Sequence, residues 1–102
     1  MLYEWDLDKN QRNQEKHGLS FEMAHLVFEG FHITQLDQRK EYGESRYCTM
    51  GTLGEYGRVV LVAHTIRDTK TRIISMRKAN DREQKIFNRF LEEHHHEEKS
   101  IH

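Results

Sequence analysis

Apolar and polar positions along this chain follow two periods, and the expected elements come from them. Leu2 to Trp5 reads as a short strand. Asp8 to His17 reads as a helix, with Asp6 or Asp8 as its N-cap and Gly18 as its stop. Between Lys9 and His17 this helix has no apolar residue, so it has little to bury and is expected to face solvent or a partner. Ser20 opens a second helix to about Glu29. There Phe21, Ala24 and Phe28 recur at helical spacing, and Gly30 ends the run.

The rest of the chain is strand-like until its last helix. Phe31 to Leu36 alternates, and a polar turn from Glu41 to Ser45 leads into Arg46 to Leu53. After a turn at Gly54–Gly57, Val59 to Ala63 is apolar without interruption. That suits a central strand covered on both faces, continuing through His64, Thr65 and Ile66. Asp68 to Thr71 turns the chain into Arg72 to Lys78. A period of two places Ile73, Ser75 and Arg77 on one face and Arg72, Ile74, Met76 and Lys78 on the other. Asn80 caps a final helix with Glu83 three residues on, as in a capping box, and Ile86, Phe87, Phe90 and Leu91 form its apolar stripe. From Glu92 the stripe stops, so residues 92–102 are expected to be a frayed, flexible acidic and histidine tail.

Hairpin turns between consecutive strands predict an antiparallel sheet of three to four strands, with two N-terminal helices and one C-terminal helix. The fold class is α+β. A chain of 102 residues is expected to hold one domain, over residues 1–91.

Charge changes the picture more than composition does. The net charge is −1, yet residues 58–89 carry nine basic and three acidic side chains, against six and ten in residues 1–57. Such a basic stretch attracts a polyanion, although a solvated face without a partner fits the charge equally well. Hydrophobic residues are 35% of the chain and charged residues 32%, so a partner is expected to cover surface that the domain leaves exposed. Cys48 is the single cysteine. It excludes an intrachain disulfide and reads as a buried, inert thiol. The first nine residues lack the basic and apolar regions of a leader, and no run approaches the roughly 18 apolar residues of a membrane span. A cytoplasmic location and no membrane contact are expected.

The candidate chemistry lies between His64 and Glu83, where polar residues stand in what is otherwise sheet. Arg67, Arg77, Lys78, Glu83 and His64 are the candidate catalytic residues. Metal-free RNA cleavage needs a base for the 2′-hydroxyl proton, cations for the phosphorane-like charge, and an acid for the leaving oxygen. Arginine suits the cationic part because its fork matches phosphate oxygens. His64 and Glu83 are alternatives for the base, with Lys78 in support. Glu83 fits a capping carboxylate equally well, His64 a satisfied core histidine, and Arg72 an edge residue that discourages aggregation. No histidine or cysteine pair has a convincing ligand spacing, His94 to His96 fall in the tail, and no phosphate loop or nucleophile motif occurs. No metal and no cofactor are expected.

Several motifs occur together in one order. Near the start stand Tyr3-Glu4-Trp5-Asp6, Lys16-His17-Gly18, and Ser20-Phe21-Glu22 followed by Ala24. Later come Arg46-Tyr47, Gly51, the strand Val59 to Val62, Thr65 and Arg67, then Arg72 to Ser75, Arg77-Lys78-Ala79 and Glu83. This order resembles the BrnT family of ribonuclease toxins over residues 3 to about 90. The resemblance implies a RelE-like fold, a metal-independent endoribonuclease that inhibits growth, and neutralisation by a BrnA-type antitoxin. That antitoxin binds promoter DNA, which the toxin touches only through it. RNA would be bound with help from Arg46, Arg72 and Lys16. The polar first helix departs from the family's usual pattern, as does Met76, where the family often has alanine. The alternative is a catalytically inactive module of the same fold that sequesters RNA or a protein. The intact set of Arg67, Arg77, Lys78 and Glu83 favours activity.

Overall fold

The structure, a computed structural model, describes residues 2–38, 43–54 and 57–100. In chain order the elements are β1 (Leu2–Trp5), α1 (Leu7–His17), a 3-10 turn (Phe21–Met23) running into α2 (Ala24–Glu29), β2 (His32–Asp37), β3 (Arg46–Thr52), β4 (Val59–Arg67), β5 (Lys70–Lys78) and α3 (Asp81–Ser100). The α+β class holds. The expected turns at Glu41–Ser45 and Gly54–Gly57 fall partly outside the described residues.

The sheet differs from expectation. Its five strands lie in the order β1-β5-β4-β3-β2. Strands β2 to β5 form an antiparallel meander, but β1 runs parallel to β5, with Leu2 opposite Lys70 and Trp5 opposite Ile73. Sheet and helices separate β1 from its partner in the chain, so no local turn signal announces the pairing.

Local chemistry explains the element ends. The Asp6 side chain accepts from the Lys9 amide at 3.0 Å, and Gly18, at φ 69°, lets its own amide reach the Gln14 carbonyl. Ser20 caps as expected, but its hydroxyl accepts from Glu22, and the first turn is 3-10 rather than α.

Helix α1 is not simply solvent-facing. Its buried residues are Asn10 and Asn13. Asn10 Oδ1 accepts from the Phe21 amide at 2.8 Å. Asn13 donates to the Leu19 carbonyl at 2.9 Å and accepts from the Met76 amide at 3.1 Å. β1 pairs with β5 no further than Ile73, and beyond that point Asn13 supplies an acceptor that a strand would otherwise provide. A helix with no apolar residue after Leu7 thus docks through amides.

The faces of β5 also differ from expectation. Ala63 is opposite Ser75 while His64 is opposite Ile73, so Ile74 is an extra residue in a bulge. The bulge resets the alternation. Ile73 and Met76 enter the same core instead of opposite faces. That core, beneath α2 and the 3-10 turn, also holds Phe21, Ala24, Val27, Val60 and Val62. Gly51 permits the close approach of α2, since a Cβ there would lie 2.9 Å from Val27 Cγ1.

α3 begins with the expected capping box. Asn80 Oδ1 accepts from the Glu83 amide at 2.8 Å, and Glu83 Oε1 accepts from the Asn80 amide at 2.9 Å. Of the expected stripe, Phe87 is buried while Ile86 and Phe90 stay exposed. α3 runs past Glu92. It continues to Ser100, and the His94 ring stacks on Phe31 at 4.6 Å. Residues 101–102 lie outside the described residues. Among the described residues no helix is long and apolar enough to cross a membrane.

Candidate active site

The site lies on the sheet face opposite α1 and α2. Val60 and Val62 of β4 enter the helix-side core, so Leu61 and Ala63 point the other way. Across the strands, Gln35, Cys48, Ala63 and Ser75 are successive Cα partners from β2 to β5. Cys48, Ala63 and Ser75 are small, and above them the surface sinks into a trench of about 280 Å³. Leu61, Arg77 and Glu83 line it at the α3 end of the face. Gln35, Leu36, Asp37 and Gln38 line it along β2. The four strands make it roughly 14 Å long.

Arg77 and Glu83 are the most tightly organised pair here. Arg77 Nη1 and Nη2 each lie 2.8 Å from one oxygen of the Glu83 carboxylate. Nη1 also donates to the Lys78 carbonyl at 3.3 Å. Because Glu83 Oε1 accepts from the Asn80 amide as well, the carboxylate is fixed to the helix start and fixes the guanidinium in turn. A carboxylate already engaged in three hydrogen bonds suits positioning Arg77 better than taking a proton.

The other predicted residues are placed less uniformly. Arg46 and Arg72 sit on the trench face, two positions along from the small-residue row. Arg46 Nε lies 3.9 Å from Glu44, and Arg72 Nη1 lies 3.7 Å from Glu4. Arg67 approaches Glu44 at 3.7 Å, but its strand position is six residues from Leu61, the partner of Arg77. That separates Arg67 and Arg77 by about 20 Å. They are not one compact group. Lys78 is exposed, and as the neighbour of Arg77 on a strand it points to the opposite face. Lys16 lies on α1 beside Lys9, Arg12 and His17, around a shallow hollow at the β5 edge that Ile74 and Ser75 also line.

His64 is not brought to this face. It is 5% exposed on the helix side, with Nε2 2.7 Å from Thr49 Oγ1, which lies 2.7 Å from Thr34 Oγ1. Phe28 packs edge-on against the ring at 5.1 Å, and Tyr47 stacks on it at 5.8 Å. Burial, and then nearby His32, hold its pKa down to about 4. The sheet itself separates this imidazole from Arg77 and Glu83, so the two alternatives for the base do not share a site.

The period of two already put Ser75 on the face of Arg77, but sequence reasoning missed Gln35 and Asp37 as trench residues. Only the strand register brings those two to the trench, and no spacing within the chain signals it. Among the described residues no group of three or more His, Cys, Asp or Glu side chains is placed to hold a metal ion.

A family model described as "Ribonuclease toxin, BrnT, of type II toxin-antitoxin system" matches residues 5–83. That span runs from Trp5 in β1 to Glu83 in the first turn of α3, and it includes every trench residue. No curated protein matches the chain.

Proposed function

Since this chain belongs to the BrnT family of ribonuclease toxins of type II toxin–antitoxin systems, we propose that its trench binds single-stranded RNA and that Arg77 acts on the scissile phosphate. The observation that carries this reading is the Arg77–Glu83 fork at the wall of a trench floored by small side chains. Guanidinium is a planar, permanently charged fork that matches phosphate oxygens, and Glu83 holds its plane at the trench wall. Glu83 is a positioning residue in this scheme. The 2′-oxygen attacks the adjacent phosphorus, a new O–P bond forms, and the bond to the 5′-oxygen breaks. The 2′-proton leaves to a base, and the departing oxygen takes a proton. Arg77 offsets the charge that builds on phosphorus-bound oxygens between those events. The products are a 2′,3′-cyclic phosphate and a 5′-hydroxyl.

Strand polarity and charge suggest a path for the rest of the RNA. From the trench it crosses β5 at the exposed Ser75 and meets the cationic row of Lys9, Arg12 and Lys16 on α1. Arg46 and Arg72 flank the trench on its other side.

The cytoplasm is the compartment in which this activity fits, with a BrnA-type, DNA-binding antitoxin as the neutralising partner. Acidic side chains of that antitoxin laid over Arg46, Arg72 and Arg77 would mask the trench. Association of the two would then slow as salt rises.

The decisive experiment incubates the purified chain with a labelled single-stranded RNA in excess EDTA. Cleavage to a 2′,3′-cyclic phosphate end is the expected result. Activity lost in EDTA and restored by magnesium or zinc would overturn the metal-independent scheme. A second reading, an inactive RNA-binding module, draws support from the wide separation of Arg67, His64 and Arg77. RNA bound without cleavage under every condition would establish it instead.

A further inference from the structure

β1 is the end strand of the sheet, and a second cavity lies beside it on the helix side, away from the trench. Tyr3, Trp5 and Phe21 wall this cleft of about 440 Å³. Trp5 and Phe21 meet edge-on, with centroids 6.5 Å apart. The rim is acidic. Glu22 and Glu29 both line it, and His25 Nδ1 lies 3.0 Å from one Glu29 oxygen. Burial, and then the Glu29 carboxylate, push the Tyr3 hydroxyl above its ordinary value, which places that charge near the aromatic wall.

Aromatic faces joined to carboxylates recognise a cationic side chain, and arginine above lysine, because its planar group stacks and forks at once. Phosphate is repelled by the same rim. The backbone adds a second selection. Among the described residues no strand neighbours the outer edge of β1, so its amides and carbonyls are open to an extended peptide. Leu2 and Leu7, beside that edge, are 61% and 79% exposed and offer apolar contact to whatever pairs there.

We propose that an extended, arginine-bearing segment of the antitoxin pairs with β1 as a sixth strand and inserts its guanidinium into the Trp5 cleft, between the aromatic walls and the Glu22 and Glu29 carboxylates. The proposal rests on the reading of this chain as a toxin with a protein antidote. A strand added there lies two places from β5, with β1 between them, and Arg72 of β5 faces the trench side. A partner anchored at β1 is therefore positioned to continue over the trench. The anchor and the mask are then separate surfaces of one complex.

Trp5 is the only tryptophan in the chain, so 5-fluorotryptophan incorporation gives one fluorine resonance that reports on the cleft. The labelled chain is titrated with its co-expressed antitoxin. The resonance is expected to shift on complex formation. The Glu22→Gln/Glu29→Gln double variant is expected to raise the Kd about tenfold while RNA cleavage is unchanged. Both residues are exposed, and circular dichroism verifies the fold. A resonance unmoved by the antitoxin overturns the proposal, as does a double variant that binds with the parent affinity. A shift that follows the concentration of the chain alone assigns the cleft to a second copy, and a shift caused by RNA assigns it to substrate. Either also overturns it. Failure of the parent chain to cleave RNA counts against the toxin reading and is read separately from the binding arm.

Discussion

Arg77 at the end of β5 and Glu83 in the first turn of α3 form a two-pronged pair, with both nitrogen–oxygen distances at 2.8 Å. Glu83 also closes the capping box with Asn80, so the residue that starts the helix is the residue that aims the arginine. Arg77→Ala is expected to lower RNA cleavage by about 10²–10³-fold, the usual loss when a transition-state donor is removed. Glu83→Gln should lower kcat by a smaller factor and leave RNA affinity nearly unchanged. Single-turnover cleavage with a separate binding titration distinguishes the two. Parent-like cleavage by Arg77→Ala would remove Arg77 from the mechanism. In cells, the same variant should relieve growth arrest while the protein stays folded.

Trench depth depends on the small row of Cys48, Ala63 and Ser75. Ala63→Leu points a bulky side chain into the open space rather than into the core. It is expected to weaken RNA binding by on the order of 1–3 kcal/mol if one base is kept out. The melting temperature should barely move. Fluorescence anisotropy with a short labelled RNA and a thermal melt check both parts. Unchanged affinity would place the RNA elsewhere.

Asn13 serves two backbone groups at once, the Leu19 carbonyl and the Met76 amide. Asn13→Ala leaves both buried groups unpaired and is expected to cost about 2–4 kcal/mol of stability. Asn13→Leu should do no better, because added apolar area does not satisfy either group. Urea unfolding measures this directly. A loss below 1 kcal/mol, the size of an ordinary exposed change, would show that water replaces the amide.

His64 is neutral in the folded chain, its pKa held down to about 4, whereas an unfolded histidine titrates near 6.5. The unfolded state therefore binds more protons between those values. Stability from this group is full above about pH 6.5, falls as pH drops through that window, and is lost near pH 4. The loss is about 3 kcal/mol at most. His64→Gln should flatten the difference in urea midpoint between pH 7 and pH 5 relative to the parent. An identical pH slope in both proteins would show that other groups cause it.

Features that depend on neighbours in the chain are legible from residue order. The Asp6 cap, the Gly18 stop, the Asn80–Glu83 box and the four strands between Phe31 and Lys78 all involve residues a few positions apart, where side-chain and backbone chemistry act locally. What packing decided is non-local. The parallel pairing of β1 with β5 joins distant segments, and the bulge at Ile74 exists only relative to β4. That single extra residue moved Met76 into the core beside Ile73 while leaving Ser75 and Arg77 on the trench face. α1 read as having little to bury because hydropathy does not register an asparagine whose partners lie on another element. Residue types singled out Arg77 and Glu83, and the structure pairs the two across the β5–α3 junction. Residue types also grouped His64, Arg67 and Lys78 with them because nearness in sequence was the only distance available. On a strand, a neighbour points to the opposite face, and ten residues span the length of a sheet.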